Sequence, residues 1–419
     1  MYLTRIIEKT IKDKLSYIGA VQIEGPKWCG KSTTASLFAN TIIKLQNPIV
    51  FRQYAVYAST NKEDLLSGQR PILFDEWQKI PDIWDFVRDD VDEVGKPGQY
   101  LLTGSAKPMK EKTMHTGTGR IAKIKMRPLS LYESLDSNGA VSLNELFNNP
   151  YYKVKAECKL TINDQVNLVC RGGWPKVVSL EKNVALKYMK DYYEGLVSAD
   201  ITDVDEIKRD PKRARAILRS YARNISTLAE YTTIMRDLEN VGEGVNPKTL
   251  SSYINAFEKL FVIENVEAWN PKLRSATMIR QTPKKQFVDP SIAVLALSAT
   301  ANDLEKDMET FGFFFESLVT RDLRIYVENI GGHVYFYRDR NNLEVDCILK
   351  LDDGRWAAVE VKIGSNKIEE AAQSLLALRD NVDTRHMNEP SFMMIVYGGT
   401  YAYQRADGIY VVPIGCLKP

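Results

Sequence analysis

The first 19 residues space Leu3, Ile6, Ile7, Ile11 and Leu15 among charged positions at the interval of one helix face. A short apolar run, Ala20 to Glu24, then reads as a buried strand. After a glycine-bounded turn, Ser32 to Leu45 reads as a helix. Apolar runs recur at Pro48 to Val56, Pro71 to Phe74, Gln99 to Leu102 and Ile121 to Met126. Such runs alternating with helices predict a parallel sheet covered on both faces, because crossover helices bury both sides of parallel strands.

At Pro128 this pattern stops. The stretch to about residue 205 reads mostly helical, broken at Arg171-Gly-Gly-Trp-Pro175. Three helical patterns follow, at Arg213 to Ala222, Leu228 to Leu238 and Pro247 to Leu260. Strand-like Phe261 to Glu264 and Gln286 to Val288 then flank a basic loop, an order that resembles a winged helix with Pro247 to Leu260 as recognition helix. The last section predicts a helix (Gly312 to Val327), three strands (His333 to Arg338, Leu343 to Lys350, Trp356 to Lys362), a helix (Ile368 to Leu378) and a strand (Met393 to Tyr397). The chain therefore reads as α/β multidomain. A parallel-sheet core covers 1–130, a helical lid or connector 131–205, a winged-helix-like domain 206–290 and a mixed α/β domain 291–419.

Composition changes this picture in two places. With 44% apolar and 26% charged residues among 419, and no window of about 18 to 20 uninterrupted apolar residues, no membrane partner is expected. The N-terminal stretch lacks the apolar core of a signal peptide, and five scattered cysteines without a CxxC pair suggest neither disulfides nor zinc. A cytoplasmic location is the expectation. Net charge is only +2, yet Lys208 to Lys285 holds 15 Lys and Arg against 8 Asp and Glu, which favours DNA as a partner. Arg213, Arg215, Arg219 and Arg223 recur at helical spacing, and Lys248, Lys272, Arg274, Arg280, Lys284 and Lys285 are candidate phosphate contacts from the recognition helix and wing.

Gly25-Pro26-Lys27-Trp28-Cys29-Gly30-Lys31-Ser32, with Thr33 next, matches GxxxxGK[ST] between an expected strand and an expected helix. Glycines let backbone N–H groups turn inward around phosphate oxygens, and the helix N-terminus adds favourable dipole charge. Lys31 is expected on the β- and γ-phosphates of ATP and Ser32 on Mg²⁺. Asp75, 44 residues beyond Lys31, ends an apolar run and is followed by Glu76. The pair suits metal binding by Asp75 and water activation by Glu76.

Near the C-terminus, strand alternation places Glu344 and Asp346 on one face, and Glu360 and Lys362 together on the neighbouring strand. Asp346 and Glu360 could hold a second Mg²⁺ or Mn²⁺, with Lys362 aligning a water against a phosphodiester. A surface ion pair on a hairpin is the plain alternative.

Taken together, the P-loop, the LFDEWQKIP, LLTGSA, RPLSLYE and GGWP segments and the EVD and EVK strands resemble the prokaryotic P-loop ATPases of the AAA_14 plus DUF4143 architecture. The resemblance covers nearly the whole chain. It implies an AAA+ core that binds and hydrolyses ATP. It also implies Thr103 or Ser105 as a γ-phosphate sensor and Arg120 as an arginine finger acting across a homo-oligomer boundary. The acidic constellation is similar to the PD-(D/E)xK nucleases, which implies a restriction-endonuclease-like domain with Asp346, Glu360 and Lys362 catalytic, Glu316 as a further metal ligand, and Gln373 at a polar helix position. Val345 stands where that family usually has proline. The expected function is a DNA-engaging ATPase with metal-dependent cleavage, or a nucleotide-dependent scaffold whose nuclease-like domain binds without cutting.

Overall fold

The computed structural model describes residues 2–104, 116–271 and 281–419. In the N-terminal part, helix α1 (Ile7–Leu15) precedes strand β1 (Ala20–Glu24), α2 (Lys31–Ser36), β2 (Thr41–Lys44), α3 (Pro48–Thr60), β3 (Ile72–Asp75), α4 (Asp82–Val94), β4 (Tyr100–Gly104) and β5 (Ile121–Lys125). All five strands are parallel, in the order β2-β3-β4-β1-β5. Their apolar side chains feed one cluster on each face, one holding Ile72, Phe74 and Tyr100 and the other Val21, Ile23 and Leu101. Continuous apolar runs are what two-sided burial requires.

Two expected elements differ. The Ser32 to Leu45 helix ends at Ser36, and its tail supplies edge strand β2, paired Thr41 to Ile72. Pro48 to Val56 is helical, because Asn47 caps the Ile49 N–H and Pro48 occupies the first turn, where its missing N–H costs nothing. The apolar run there had no periodicity to separate strand from helix.

Two short strands, β6 (Val141–Ser142) and β7 (Ala156–Glu157), then lead into α5 (Ile162–Arg171) and α6 (Lys182–Gly195). Helix α6 continues into a π-helical segment, Leu196–Asp200. Helices α7 (Pro211–Arg223), α8 (Tyr231–Asn240) and α9 (Pro247–Lys259) match the three expected patterns. The expected wing strands meet only through isolated antiparallel bridges, Ile263 to Phe287 and Val266 to Lys284, among the described residues.

Beyond α10 (Met308–Glu328) come β8 (Gly332–Arg338), β9 (Glu344–Leu351), β10 (Trp356–Lys362), α11 (Ile368–Asn381), β11 (Met393–Tyr397), β12 (Tyr401–Gln404), β13 (Tyr410–Pro413) and β14 (Leu417–Lys418). They form a mixed seven-stranded sheet, β7-β12-β13-β11-β10-β9-β8, while β14 pairs with β6. The 131–205 stretch thus contributes strands to the C-terminal sheets. One apolar core runs continuously from Leu131 to Leu417, with Trp174 and Tyr221 fully buried. Each such large side chain stabilises the fold by about 1.5–3 kcal/mol.

Candidate nucleotide site and the C-terminal acid cluster

In the parallel sheet, β4 lies between β1 and β3, so Thr103 sits beside Asp75 in register. The P-loop leaves the carboxyl end of β1 on the same rim, the end at which open α/β sheets bind ligands. Ser32 Oγ and Thr103 Oγ1 both donate to Asp75 Oδ1, at 2.6 Å each. Lys31 is buried, and its Nζ donates to the carbonyls of Gly25 at 2.8 Å and Pro26 at 2.7 Å. At Gly25, φ is +154°, and a Cβ would meet the Met126 carbonyl oxygen at 2.1 Å, so only glycine fits this cradle. Trp28 and Glu76 both adopt left-handed backbone, at φ 67° and 60°. Such strain in non-glycine residues costs about 1–3 kcal/mol each and gathers at functional sites. Glu76 follows Asp75 directly and accepts a hydrogen bond from Gln78 Nε2. The hydroxyl and carboxylate oxygens of Ser32 and Asp75, with Lys31 inside the loop, fit Mg²⁺ and a phosphate chain.

The remaining expected nucleotide-site residues divide cleanly. Pro26 and Cys29 are buried in the loop, whereas Lys27, Trp28 and Thr33 are exposed. Arg120 lies at the amino end of β5, opposite the P-loop rim, where its Nε donates to Asp92 Oδ1 at 2.8 Å. It is not brought to this chain's nucleotide site. Ser105 lies outside the described residues.

The lid reaches the P-loop through residues that periodicity did not single out. Lys27 Nζ meets Asp200 Oδ1 at 2.6 Å, at the end of the π-helical segment. The Trp28 ring packs against Tyr188 and Tyr192 of α6, with centroids 6.4 and 5.7 Å apart. From behind, Arg5 donates to the carbonyls of Cys29 (2.7 Å) and Arg127 (2.8 Å) and pairs with Glu133 at 3.0 Å. Arg127 and Glu133 belong to the RPLSLYE segment. Arg127 pairs in turn with Glu264 and Glu328, both at 2.7 Å. The GGWP segment serves the same junction: Leu129 N donates to the Gly173 carbonyl at 2.6 Å, and Trp174 Nε1 donates to Ser291 Oγ at 3.1 Å.

In the C-terminal sheet, Glu316, Asp346, Glu360 and Lys362 do come together, but with an added cation. Lys284 Nζ lies 3.0 Å from Glu316, 3.0 Å from Glu344 and 3.5 Å from Asp346. Lys362 Nζ lies 2.6 Å from Glu360 and 3.5 Å from Asp346. Burial, with Asp346 close by, outweighs Lys284 and pushes Glu316 up to about 8. Burial and Asp346 likewise push Glu360 well up, whereas for Asp346 the two ammonium groups outweigh burial and hold it down. Two ammonium groups already stand among these carboxylates, Lys284 Nζ within 3.5 Å of three of them, so the cluster is charge-compensated without a divalent cation. Among the described residues, no group of three or more His, Cys, Asp or Glu is set to hold a metal ion. The expected second Mg²⁺ or Mn²⁺ is therefore not supported by these side chains, and no step is derived through it.

Residues 19–135 match the family model AAA domain. Residues 311–417 match a domain of unknown function, DUF4143, and residues 162–303 another, DUF8612. Uncharacterized protein Rv2008c of Mycobacterium tuberculosis is 22% identical over 405 residues, covering 94% of this chain and 79% of its own. Uncharacterized protein Mb2031c of Mycobacterium bovis gives the same values. Among solved structures, the Walker-type ATPase PABY2304 of Pyrococcus abyssi is 14% identical, with a TM-score of 0.42, over 70% of this chain and 96% of that one. A signal transduction ATPase with numerous domains, PH0952 of Pyrococcus horikoshii, is 13% identical, with a TM-score of 0.20, over 78% of this chain and 49% of that one. The AAA match and the P-loop geometry support an AAA+ P-loop ATPase architecture, and with it nucleotide binding and hydrolysis.

The basic residues expected to contact DNA are scattered. Arg215 pairs with Glu194 at 2.5 Å, Arg223 pairs with Asp237 at 2.7 Å, and Arg219 and Lys248 are exposed. Lys284 and Lys285 are 1% exposed, which corrects their expected place on a phosphate-contacting wing. Lys284 is drawn into the acid cluster, and Lys285 lies 4.9 Å from the Tyr231 ring centre. Lys272, Arg274 and Arg280 lie outside the described residues. No described helix is long and apolar enough to cross a membrane.

Proposed function

We propose that this chain is a Mg²⁺-dependent ATPase whose nucleotide state is passed from the P-loop to the lid. The observation that carries the reading is the single oxygen, Asp75 Oδ1, shared by the Ser32 and Thr103 hydroxyls on the rim where the P-loop emerges. The nucleotide supplies the bond to be broken, and Mg²⁺ neutralises charge on it. Ser32 and Asp75 hold the metal, and Lys31 meets the phosphate charge from inside the loop. Glu76, the next residue after Asp75, orients water and takes its proton. Thr103, hydrogen-bonded to Asp75, senses the γ-phosphate through that carboxylate. The exposed Lys27 and Trp28 carry the change outward to Asp200, Tyr188 and Tyr192.

In this reading the C-terminal domain is a binding or assembly module that does not cut, because Lys284 takes the place among the carboxylates that a metal would need. Lys31→Ala is expected to abolish ATP binding measured by calorimetry. Glu76→Gln is expected to keep binding while phosphate release falls by about a hundredfold or more. Hydrolysis persisting undiminished in both variants would remove the assignment.

A further inference from the structure

Arg5 precedes α1, outside the P-loop in sequence, and it is only 4% exposed. Each of its guanidinium nitrogens has an acceptor: Nη1 the Cys29 carbonyl at 2.7 Å, Nη2 the Arg127 carbonyl at 2.8 Å and Nε the Glu133 carboxylate at 3.0 Å. Glu133 is held in turn. Its Oε1 also accepts from the Ile6 N–H at 2.9 Å, and its Oε2 accepts from the Ser130 N–H at 2.8 Å and the Ser130 hydroxyl at 3.0 Å. A planar fork with every arm engaged has one orientation, so Arg5 presents Nη1 to the P-loop from a fixed point.

That point fixes a peptide. The Cys29–Gly30 unit is trans and planar, so its C=O and N–H point in opposite directions. A carbonyl drawn toward Arg5 turns the Gly30 N–H to the other side. Among the described residues that N–H donates to no backbone carbonyl, while the Gly30 carbonyl receives the Thr34 N–H at 3.0 Å and so opens α2. Gly30 leaves room for the approach: its φ is +102°, and a Cβ would come 3.3 Å from Arg5 Nη1. One turn into α2, Tyr2 Oη lies 3.1 Å from Thr34 Oγ1. The segment before α1 therefore touches both the loop and the helix that follows it. Inward N–H groups are what such a loop offers to phosphate oxygens, and a flipped peptide would put a repelling carbonyl in the same place.

We infer that Arg5 is a positioning residue for the nucleotide's phosphates, a role that rests on the ATPase reading above. It holds the Cys29–Gly30 peptide so that the Gly30 N–H faces the phosphates, and Glu133 holds Arg5. A backbone N–H that meets the phosphates alike before and during bond breaking serves affinity and not turnover.

The full chain is compared as wild type, Arg5→Lys and Glu133→Gln, with Lys31→Ala as the control that lacks the phosphate lysine. ATP affinity is read by calorimetry, KM and kcat by phosphate release, and folding by the urea midpoint. One ammonium cannot serve acceptors spread around a planar fork. Arg5→Lys is therefore expected to weaken ATP binding and raise KM by about tenfold, with kcat within about twofold of the wild type. Glu133→Gln keeps Arg5 but loosens it, and should move KM the same way by less. A merely structural role lowers the active fraction, which reduces kcat at unchanged KM; that result, or KM unchanged in both variants, overturns the inference. Where Arg5→Lys folds poorly, Arg5→Ala is titrated with ATP in millimolar guanidinium, far below denaturing concentrations. Affinity restored by the added ion supports positioning, and affinity left unrestored overturns it. A wild type that binds no ATP removes the ATPase reading and this role with it, whereas a wild type that binds ATP no better than its Arg5 and Glu133 variants removes this role alone.

Discussion

A lysine ammonium can neutralise a carboxylate cluster as a metal ion does, and Lys284 does so from a segment 32 residues before its partner Glu316. Replacing it by methionine leaves Asp346 buried with Lys362 as its remaining cation and the Val361 N–H as a donor, and Glu344 with one partner fewer. Removing one member of a buried ion cluster costs about 3–5 kcal/mol, because the remaining charge stays desolvated. Lys284→Met should therefore lower the urea midpoint sharply, and millimolar Mg²⁺ or Mn²⁺ should not raise the midpoint of an Asp75→Asn chain, in which the nucleotide-site metal ligand is removed. A metal-dependent rise that persists in that chain would restore the expected metal site. The strand residues were legible, since alternation put Glu344 with Asp346 and Glu360 with Lys362, whereas Glu316, on a helix, came only from the family resemblance. Lys284 was not legible, because beside Lys285 in a basic run it looks like surface, and its burial depends on contacts far away in sequence.

At the scale of elements, the parallel strands and the P-loop were readable because glycine positions, apolar runs and the Asp-Glu pair each carry a physical requirement. Edge strand β2 and helix α3 were exchanged, since short apolar runs lack the period that separates the two. The lid contacts were invisible for a different reason: Lys27 and Trp28 are variable positions inside the P-loop pattern, and nothing local predicts Asp200, Tyr188 or Tyr192 as partners. The Lys27 to Asp200 pair is partly exposed, so its own worth is about 0–1 kcal/mol, and Asp200→Asn should change ATP affinity by less than about fivefold. The aromatic contact is the better reporter. ATP should shift the Trp28 emission, and Tyr188→Ala should diminish that shift. The same shift in a Trp28→Phe chain would place the signal in another tryptophan and remove the coupling.

The molecule as a whole is joined at Arg127, which leaves the last strand of the parallel sheet to meet Glu264 before the C-terminal half and Glu328 at the end of α10. Arg127 is 6% exposed, and the junction is completed by Arg324, whose guanidinium donates to the Glu264 and Asn265 carbonyls. Burial alone would raise Glu264, but Arg127, Arg324 and Lys125 outweigh it and hold the carboxyl well below its ordinary 4.5. A carboxyl depressed in the folded state contributes stability that is present above its unfolded value and lost as pH falls through the folded one. Arg127→Met removes the largest of those attractions and leaves Glu264 buried with weaker partners, at a cost of about 3–5 kcal/mol near neutral pH. The gap between the wild-type and variant denaturation midpoints should therefore be widest at neutral pH and narrow as the pH drops below 4.5, where the wild type loses the same contribution. Because the cut falls between the nucleotide site and the rest of the chain, ATP should stabilise the whole wild-type transition but only the N-terminal part of the variant's. A gap that stays constant across pH, with ATP protecting both halves of the variant equally, would show that the junction is carried by the GGWP packing instead.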